Sequence, residues 1–256
     1  MLRSAAAHVF VSDLGAPALE ERDLHHLARV LRLKPGEVVT ASDGRGGLRR
    51  CRWAGSAELL PYDEEVVRSP PPAPPITIAF ALTKGERPEW TVQKLTEVGA
   101  DQIVLLSTAR CIVRWAASDR HLERLREVAR QAAMQSRRVW LPEVSGPLPF
   151  TDLEVGRSSQ AGTGRPSRVP SGSSGGRGLG EPAPGGAVAL AVPGGRPPEL
   201  GTALLIGPEG GWTDEELAAV PIHVGLGPHV LRAETAALAA AVLLSGLRER
   251  LVAPAS

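Results

Sequence analysis

Between Leu204 and Ala241 the sequence runs LLIGPEGGWTDEELAAVPIHVGLGPHVLRAETAALAAA. Two short apolar runs each stop at a Gly-Pro, Ile206-Gly207-Pro208 and Leu226-Gly227-Pro228, and each Gly-Pro leads into a helix-like segment. Proline lacks an N–H for a strand ladder, so both runs must end where they do. Strand, turn and helix repeated in that order place two parallel-type strand ends side by side, with their loops at one edge of a sheet. In open α/β sheets that edge is where ligands bind.

The chain upstream falls into two regimes. Residues 1–70 read as a small β-rich unit. His8–Val11, Glu37–Ala41, Leu48–Ala54 and Glu65–Arg68 have strand character, Ser42–Gly47 is a turn, and Leu24, Leu27, Ala28 and Leu31 have helical spacing. Residues 71–75, PPAPP, form a semi-rigid linker. From 76 to 256 strands and helices alternate. Ile76–Leu82 and Ile103–Leu106 are strands. A helix opens near Pro88 and ends at Gly99, with Trp90, Leu95 and Val98 on one side. A second helix, capped by Ser118, runs to about Gln135 with 122, 125, 128, 129, 132 and 133 on its apolar face. Residues 156–186 are dominated by Gly, Ser, Pro and Arg and read as a disordered insertion. Ala187–Val192, Leu204–Ile206 and Ile222–Val224 complete the strands. The last helix, Glu234 to about Leu251, is apolar on nearly every side and needs cover, for which a subunit interface is a reasonable source. The pattern is that of an α/β fold with a largely parallel sheet.

Charge is informative only locally. Twenty-nine Lys and Arg against 28 Asp and Glu leave a net +1, so total charge announces no nucleic-acid partner. Between Arg22 and Arg52, however, eight basic residues face three acidic ones, and the same balance holds between Arg110 and Arg138. Such clusters serve as solvated faces or as phosphate contacts, which gain affinity by counterion release. Arg29, Arg32, Lys34 and Arg49 are the candidates in the first cluster. In the second, Arg110, Arg114, Arg137 and Arg138 lie outside the pairs Glu123–Arg126 and Glu127–Arg130 and are the better ones. Cys51 and Cys111 have no metal-like spacing, no secretory signal is evident, and no apolar run is long enough to span a bilayer. A cytoplasmic, metal-free protein is expected.

The common phosphate motifs are missing. There is no GxxxxGK[ST] and no GxGxxG, since Gly225-Leu226-Gly227-Pro228-His229-Val230 has valine at the third glycine. What remains is a set of loops that offer backbone N–H and C=O groups. Gly207, Gly210 and Gly211 let the chain bend sharply. Thr213 and Glu216 form a capping box that sets where the next helix starts.

With these residues in view, the stretches Leu205–Gly211 and Leu226–Ala236 resemble the two C-terminal signature loops of the SPOUT methyltransferases, most closely the ribosomal RNA small subunit methyltransferase E family. WTVQKLTEVG, with Trp90, Lys94, Thr96, Glu97 and Gly99, is similar to that family's pattern after the first strand. The resemblance covers nearly the whole chain outside 156–186. It implies a SPOUT-type α/β knot, a deep trefoil with an N-terminal PUA-like β-barrel that binds RNA. It implies a homodimer that transfers a methyl group from S-adenosylmethionine to N3 of one uridine in the 16S rRNA of the small ribosomal subunit. Carried over to this sequence, the cofactor-binding residues are Val192, Pro193 and Gly194; Leu205, Ile206, Gly207, Pro208, Glu209, Gly210 and Gly211; and Leu226, Gly227, Val230, Leu231, Arg232, Thr235 and Ala236. Arg232 is the candidate to stabilise charge on the target base, and Glu234 or Glu209 to accept its proton, with solvent as the alternative acceptor. Ala233, His229 and Met134 depart from the common family pattern. Two other readings remain open: a SPOUT enzyme for another rRNA or tRNA position, and a non-catalytic RNA-binding dimer.

Overall fold

The computed structural model describes residues 4–83, 87–113, 119–153 and 187–253. The predicted insertion at 156–186, the Ser118 cap and Arg114 lie outside the described residues.

The first sheet has four strands in chain order: β1 (Ala7–Phe10), β2 (Val38–Ser42), β3 (Gly47–Trp53) and β4 (Leu59–Arg68). Alternation along them buries Val9, Val39, Ala41, Cys51, Trp53 and Leu59 in one core with Leu27. Between β1 and β2, α1 (Glu21–His25) runs into a π-helical turn at His26–Val30. That wider turn breaks the expected helical face. Leu27 is buried, but Leu31 is exposed, because a π turn slips the register of everything after it.

The second sheet has six strands in the order β10-β8-β9-β5-β6-β7, every pair parallel. They are β5 (Thr77–Ala81), β6 (Gln102–Ser107), β7 (Glu143–Pro149), β8 (Ala187–Arg196), β9 (Thr202–Ile206) and β10 (His223–Val224). Successive residues of β5 point to opposite faces. Ile78 and Phe80 join the core under α2 (Arg87–Glu97), α3 (Asp119–Ser136) and α5 (Ala233–Arg248), while Ala79 joins the opposite core with Leu190, Leu205 and Trp212. The short α4 (Asp214–Ala219) follows Trp212. β7 escaped the sequence reading because Gly146-Pro147 interrupts it; it is an edge strand, where a missing N–H is tolerated. On α2 the buried positions are Pro88, Thr91, Val92, Leu95 and Thr96. Trp90, expected on that face, is 41% exposed, because it lies off the stripe those residues define.

The two sheets are tied by polar contacts as well as packing. His8 on β1 is buried, with Nδ1 2.9 Å from the Thr40 hydroxyl and Nε2 2.9 Å from the Arg138 carbonyl. Asp23 is buried in an ion pair with Arg130 of α3. Burial, reinforced by the nearby Arg137 charge, pulls the His8 pKa down to about 4 from its ordinary 6.5. The folded state therefore holds fewer protons than the unfolded state between these values, and stability falls as pH drops from 6.5 towards 4, by up to roughly 3 kcal/mol. Urea unfolding from pH 7 to pH 4 should show this slope. His8→Gln should flatten it, and an unchanged slope in that variant would remove His8 as its source.

Candidate functional site

The C-terminal ends of β8, β9 and β10 leave one cavity of about 290 Å³ at the sheet edge. Its walls come from three loops. Val192 and Pro193 lie in β8 beyond Leu190, its last residue paired with β9; Gly207, Pro208, Glu209 and Gly211 follow β9; and Leu226, Gly227, His229, Val230 and Leu231 lead into α5. Ala233 and Ala236 on the first turn of α5 close one side. Trp212 forms the floor: its indole N–H donates to the Ala191 carbonyl at 3.1 Å and its ring packs beside Phe150. Gly207 is required by that floor, since a Cβ there would meet the Trp212 ring at 2.9 Å. Among the described residues no Lys or Arg lines the cavity, and Glu209 is the only acidic wall residue.

Two arginines hold the loop after β9. Arg110 donates to the Gly210 carbonyl at 3.0 Å and the Trp212 carbonyl at 2.9 Å. Arg87, at the start of α2, donates to Glu209 at 2.9 Å and lies 3.8 Å from Glu234. The capping box expected of Thr213 and Glu216 is present. Glu216 does more than cap: its carboxylate also accepts the Ala109 N–H at 2.9 Å, joining α4 to the loop after β6.

On the far side of the cavity, β8 and the turn after β10 nearly touch. A Cβ on Gly195 would lie 2.5 Å from the Val224 carbonyl carbon, and one on Gly225 would lie 2.6 Å from the Gly195 oxygen. The Gly225 N–H donates to the Arg196 carbonyl at 2.8 Å.

A family model described as an RNA methyltransferase domain matches residues 70–160 and 194–245, and one described as an RNA methyltransferase PUA domain matches residues 19–53. A ribosomal RNA small subunit methyltransferase E from Mycobacterium bovis is 37% identical over 254 residues, covering 95% of this chain and 92% of that protein. The chain belongs to the ribosomal RNA small subunit methyltransferase E family. The protein of the same name from Synechocystis is 34% identical over 250 residues, covering 90% of this chain and 73% of that one. The fold is shared with a crystal structure of a ribosomal RNA small subunit methyltransferase E from Neisseria gonorrhoeae bound to S-adenosyl methionine. The TM-score is 0.72 at 24% identity, covering 94% of this chain and 97% of that one.

Within this family member, most of the expected cofactor residues line the cavity: Val192, Pro193, Ile206, Gly207, Pro208, Glu209, Gly211, Leu226, Gly227, Val230, Leu231 and Ala236. Leu205 instead faces the core, and Gly194, Gly210, Arg232 and Thr235 stand outside the lining. Of the three candidates for charge and proton handling, only Glu209 is a wall residue. Arg232 is the exposed N-cap of α5, and Glu234 turns toward Arg87, with one carboxylate oxygen buried and unbonded among the described residues. Trp212, Ala191 and Leu217 join the lining without having been anticipated, and His229 and Ala233 line it from within the expected loop Leu226–Ala236.

The candidate phosphate contacts divide. Arg29, Arg32 and Lys34 are exposed. Arg138 is not available: it donates to the carbonyls of Thr96 and Ala100 and pairs with Asp101, with its side chain 13% exposed. Arg49 donates to Leu14, Gly15 and Asp63 carbonyls, Arg137 to that of Ala5, and Arg110 to the cavity loop. Counting arginines locates clusters but is blind to backbone carbonyls that absorb them. Among the described residues no group of three or more His, Cys, Asp or Glu could hold a metal, and no helix is long and apolar enough to cross a membrane.

Proposed function

We propose that this protein binds S-adenosylmethionine in the cavity at the ends of β8, β9 and β10 and methylates N3 of one uridine in 16S rRNA. The observation that carries the cofactor reading is the character of the lining. Among the described residues a phosphate-bearing ligand would meet no lysine or arginine there, whereas a sulfonium would meet Glu209. The apolar walls and the Gly207, Gly211 and Gly227 backbone suit a nucleoside, and the volume lies near the lower end for small-molecule sites. Membership of the family and the cofactor-bound fold relative from Neisseria gonorrhoeae support the same reading.

S-adenosylmethionine, when bound, supplies a methyl group already activated on a positively charged sulfur. The residues of this chain then have two tasks: to take up the uracil N3 proton and to stabilise the negative charge left on the ring. Arg232 is exposed at the N-cap of α5, where a base arriving from solvent can meet its guanidinium. Glu209, half-exposed on the cavity wall, is better placed to accept a proton than Glu234, which stands outside the lining with its side chain 14% exposed; Arg87 contacts both carboxylates, Glu209 at 2.9 Å and Glu234 at 3.8 Å.

The reading extends to the rest of the chain. The N-terminal unit, residues 1–70, is a PUA-like RNA-binding barrel, with Arg29, Arg32 and Lys34 among its exposed cations. The three loops belong to a deep trefoil knot, as the resemblance to the family implies. Trp90 on α2 and Val242 on α5 are exposed apolar side chains on two packed helices, in keeping with a cytoplasmic homodimer.

Two measurements test this. Titration calorimetry should show S-adenosylmethionine binding; no heat at millimolar ligand would remove the cofactor reading. Mass spectrometry of 16S rRNA from a deletion strain should show loss of one N3-methyluridine, restored by the wild-type gene. Full retention would move the enzyme to another RNA position.

A further inference from the structure

We propose that Arg87 is a positioning residue that clamps the cofactor cavity shut along one side. The loop after β9 and the start of α5 are separated in sequence by α4 and β10, yet both bring a carboxylate to this one guanidinium. Glu209 accepts from Arg87 Nη1 at 2.9 Å, and Glu234 lies 3.8 Å from Arg87 Nε. Glu209 is part of the cavity wall, and Ala233 and Ala236, on either side of Glu234, are too. Arg87 itself is outside the lining, so it acts on a ligand through the two segments it joins.

The electrostatics give the clamp its direction. Glu234 has a side chain only 14% exposed, and its second oxygen is buried without a partner among the described residues. Remove Arg87 and two carboxylates face each other across the vacated space, one of them largely desolvated. The relief available is outward movement of the loop that carries Glu209, since α5 is anchored in the core by Ala237, Ala240 and Ala241. Arg110 still holds Gly210 and Trp212 from the other side, so the loop would hinge rather than unfold. Glu234 thus becomes the anchor of the clamp, and Glu209 the wall it positions.

This rests on the S-adenosylmethionine reading, and calorimetry with that ligand on the full chain tests both separately. Arg87 is 43% exposed, so the ion pair is partly screened and the effect is moderate. Arg87→Ala should melt close to the wild type yet bind S-adenosylmethionine roughly three- to tenfold more weakly. Arg87→Lys should recover part of the loss, as a point charge that cannot span both acids equally. Glu234→Gln should weaken binding too, and the double variant Arg87→Ala/Glu234→Gln should be no worse than the worse single one. The clamp is overturned if Arg87→Ala binds within about twofold of the wild type, if the two losses multiply, or if only the KM for RNA rises. No binding by the wild type would overturn the cofactor reading and the clamp with it.

Discussion

Gly195→Ala is expected to lower stability by about 1–3 kcal/mol and to weaken S-adenosylmethionine binding by roughly tenfold or more. The cause is space, not backbone freedom: the new methyl would lie 2.5 Å from the Val224 carbonyl carbon and 2.7 Å from the Gly225 nitrogen. Main chain cannot swing aside as a side chain can, so β8 and the turn after β10 must part. The Gly225-to-Arg196 hydrogen bond is lost, and the loop from Leu226 to Leu231 that lines the cavity moves with it. Gly36→Ala is the control. Its φ of 96° makes alanine strained, but nothing lies within 4 Å of the added carbon, and the cavity is remote in the fold. That variant should lose stability and keep its cofactor affinity. Wild-type melting and affinity in Gly195→Ala would show that the two segments do not pack as closely at Gly195 as these distances require.

What could be read without the structure was whatever is decided locally. The Gly-Pro stops at 207–208 and 227–228 placed two cavity loops and, at 207, the end of β9, because proline and glycine act on their own neighbours; β10 already ends at Val224. The Thr213–Glu216 capping box was legible for the same reason. A largely parallel sheet followed from alternation of strands and helices. Partners distant in sequence were not legible. Glu216 also reaches Ala109, Arg138 reaches Ala100 and Asp101, and Arg110 reaches Gly210 and Trp212. In the sequence each of these arginines is one more positive charge, available to RNA. Only the fold reveals that their donors are already committed. Arg87 went unnoticed because it belongs to neither basic cluster. Its signal was present in the pairing logic: an arginine at the start of the helix after β5, with one glutamate in a loop and one at a helix start expected at the same edge.

The other large effect is expected far from the cavity. Asp101, in the turn between α2 and β6, should cost about 3–5 kcal/mol when replaced by alanine. Its carboxylate pairs with Arg138 at 3.0 Å and with Arg248 at 2.5 Å, and accepts the Ile76 N–H at 2.9 Å. Both guanidinium-bearing side chains are nearly buried, 13% and 9% exposed. They also donate to the carbonyls at the end of α2, Arg138 to Thr96 and Ala100 and Arg248 to Gly99. Alanine would leave two like charges desolvated around an empty site, which is why breaking such a cluster costs more than an exposed ion pair is worth. The damage would spread, because the cluster joins the end of α5, the start of β5 and the segment before β7. Through the Arg138 carbonyl it also reaches His8 of the first sheet. Asp101→Asn should be milder, since its amide oxygen can still accept from one arginine and the neighbours stay packed. Denaturant unfolding of both variants should rank them wild type, asparagine, alanine, with the alanine variant also losing the pH dependence set by His8 if the two sheets separate. A loss below about 1 kcal/mol in Asp101→Ala would mean that solvent reaches Arg138 and Arg248, and would return Arg138 to the set of cations free to meet RNA.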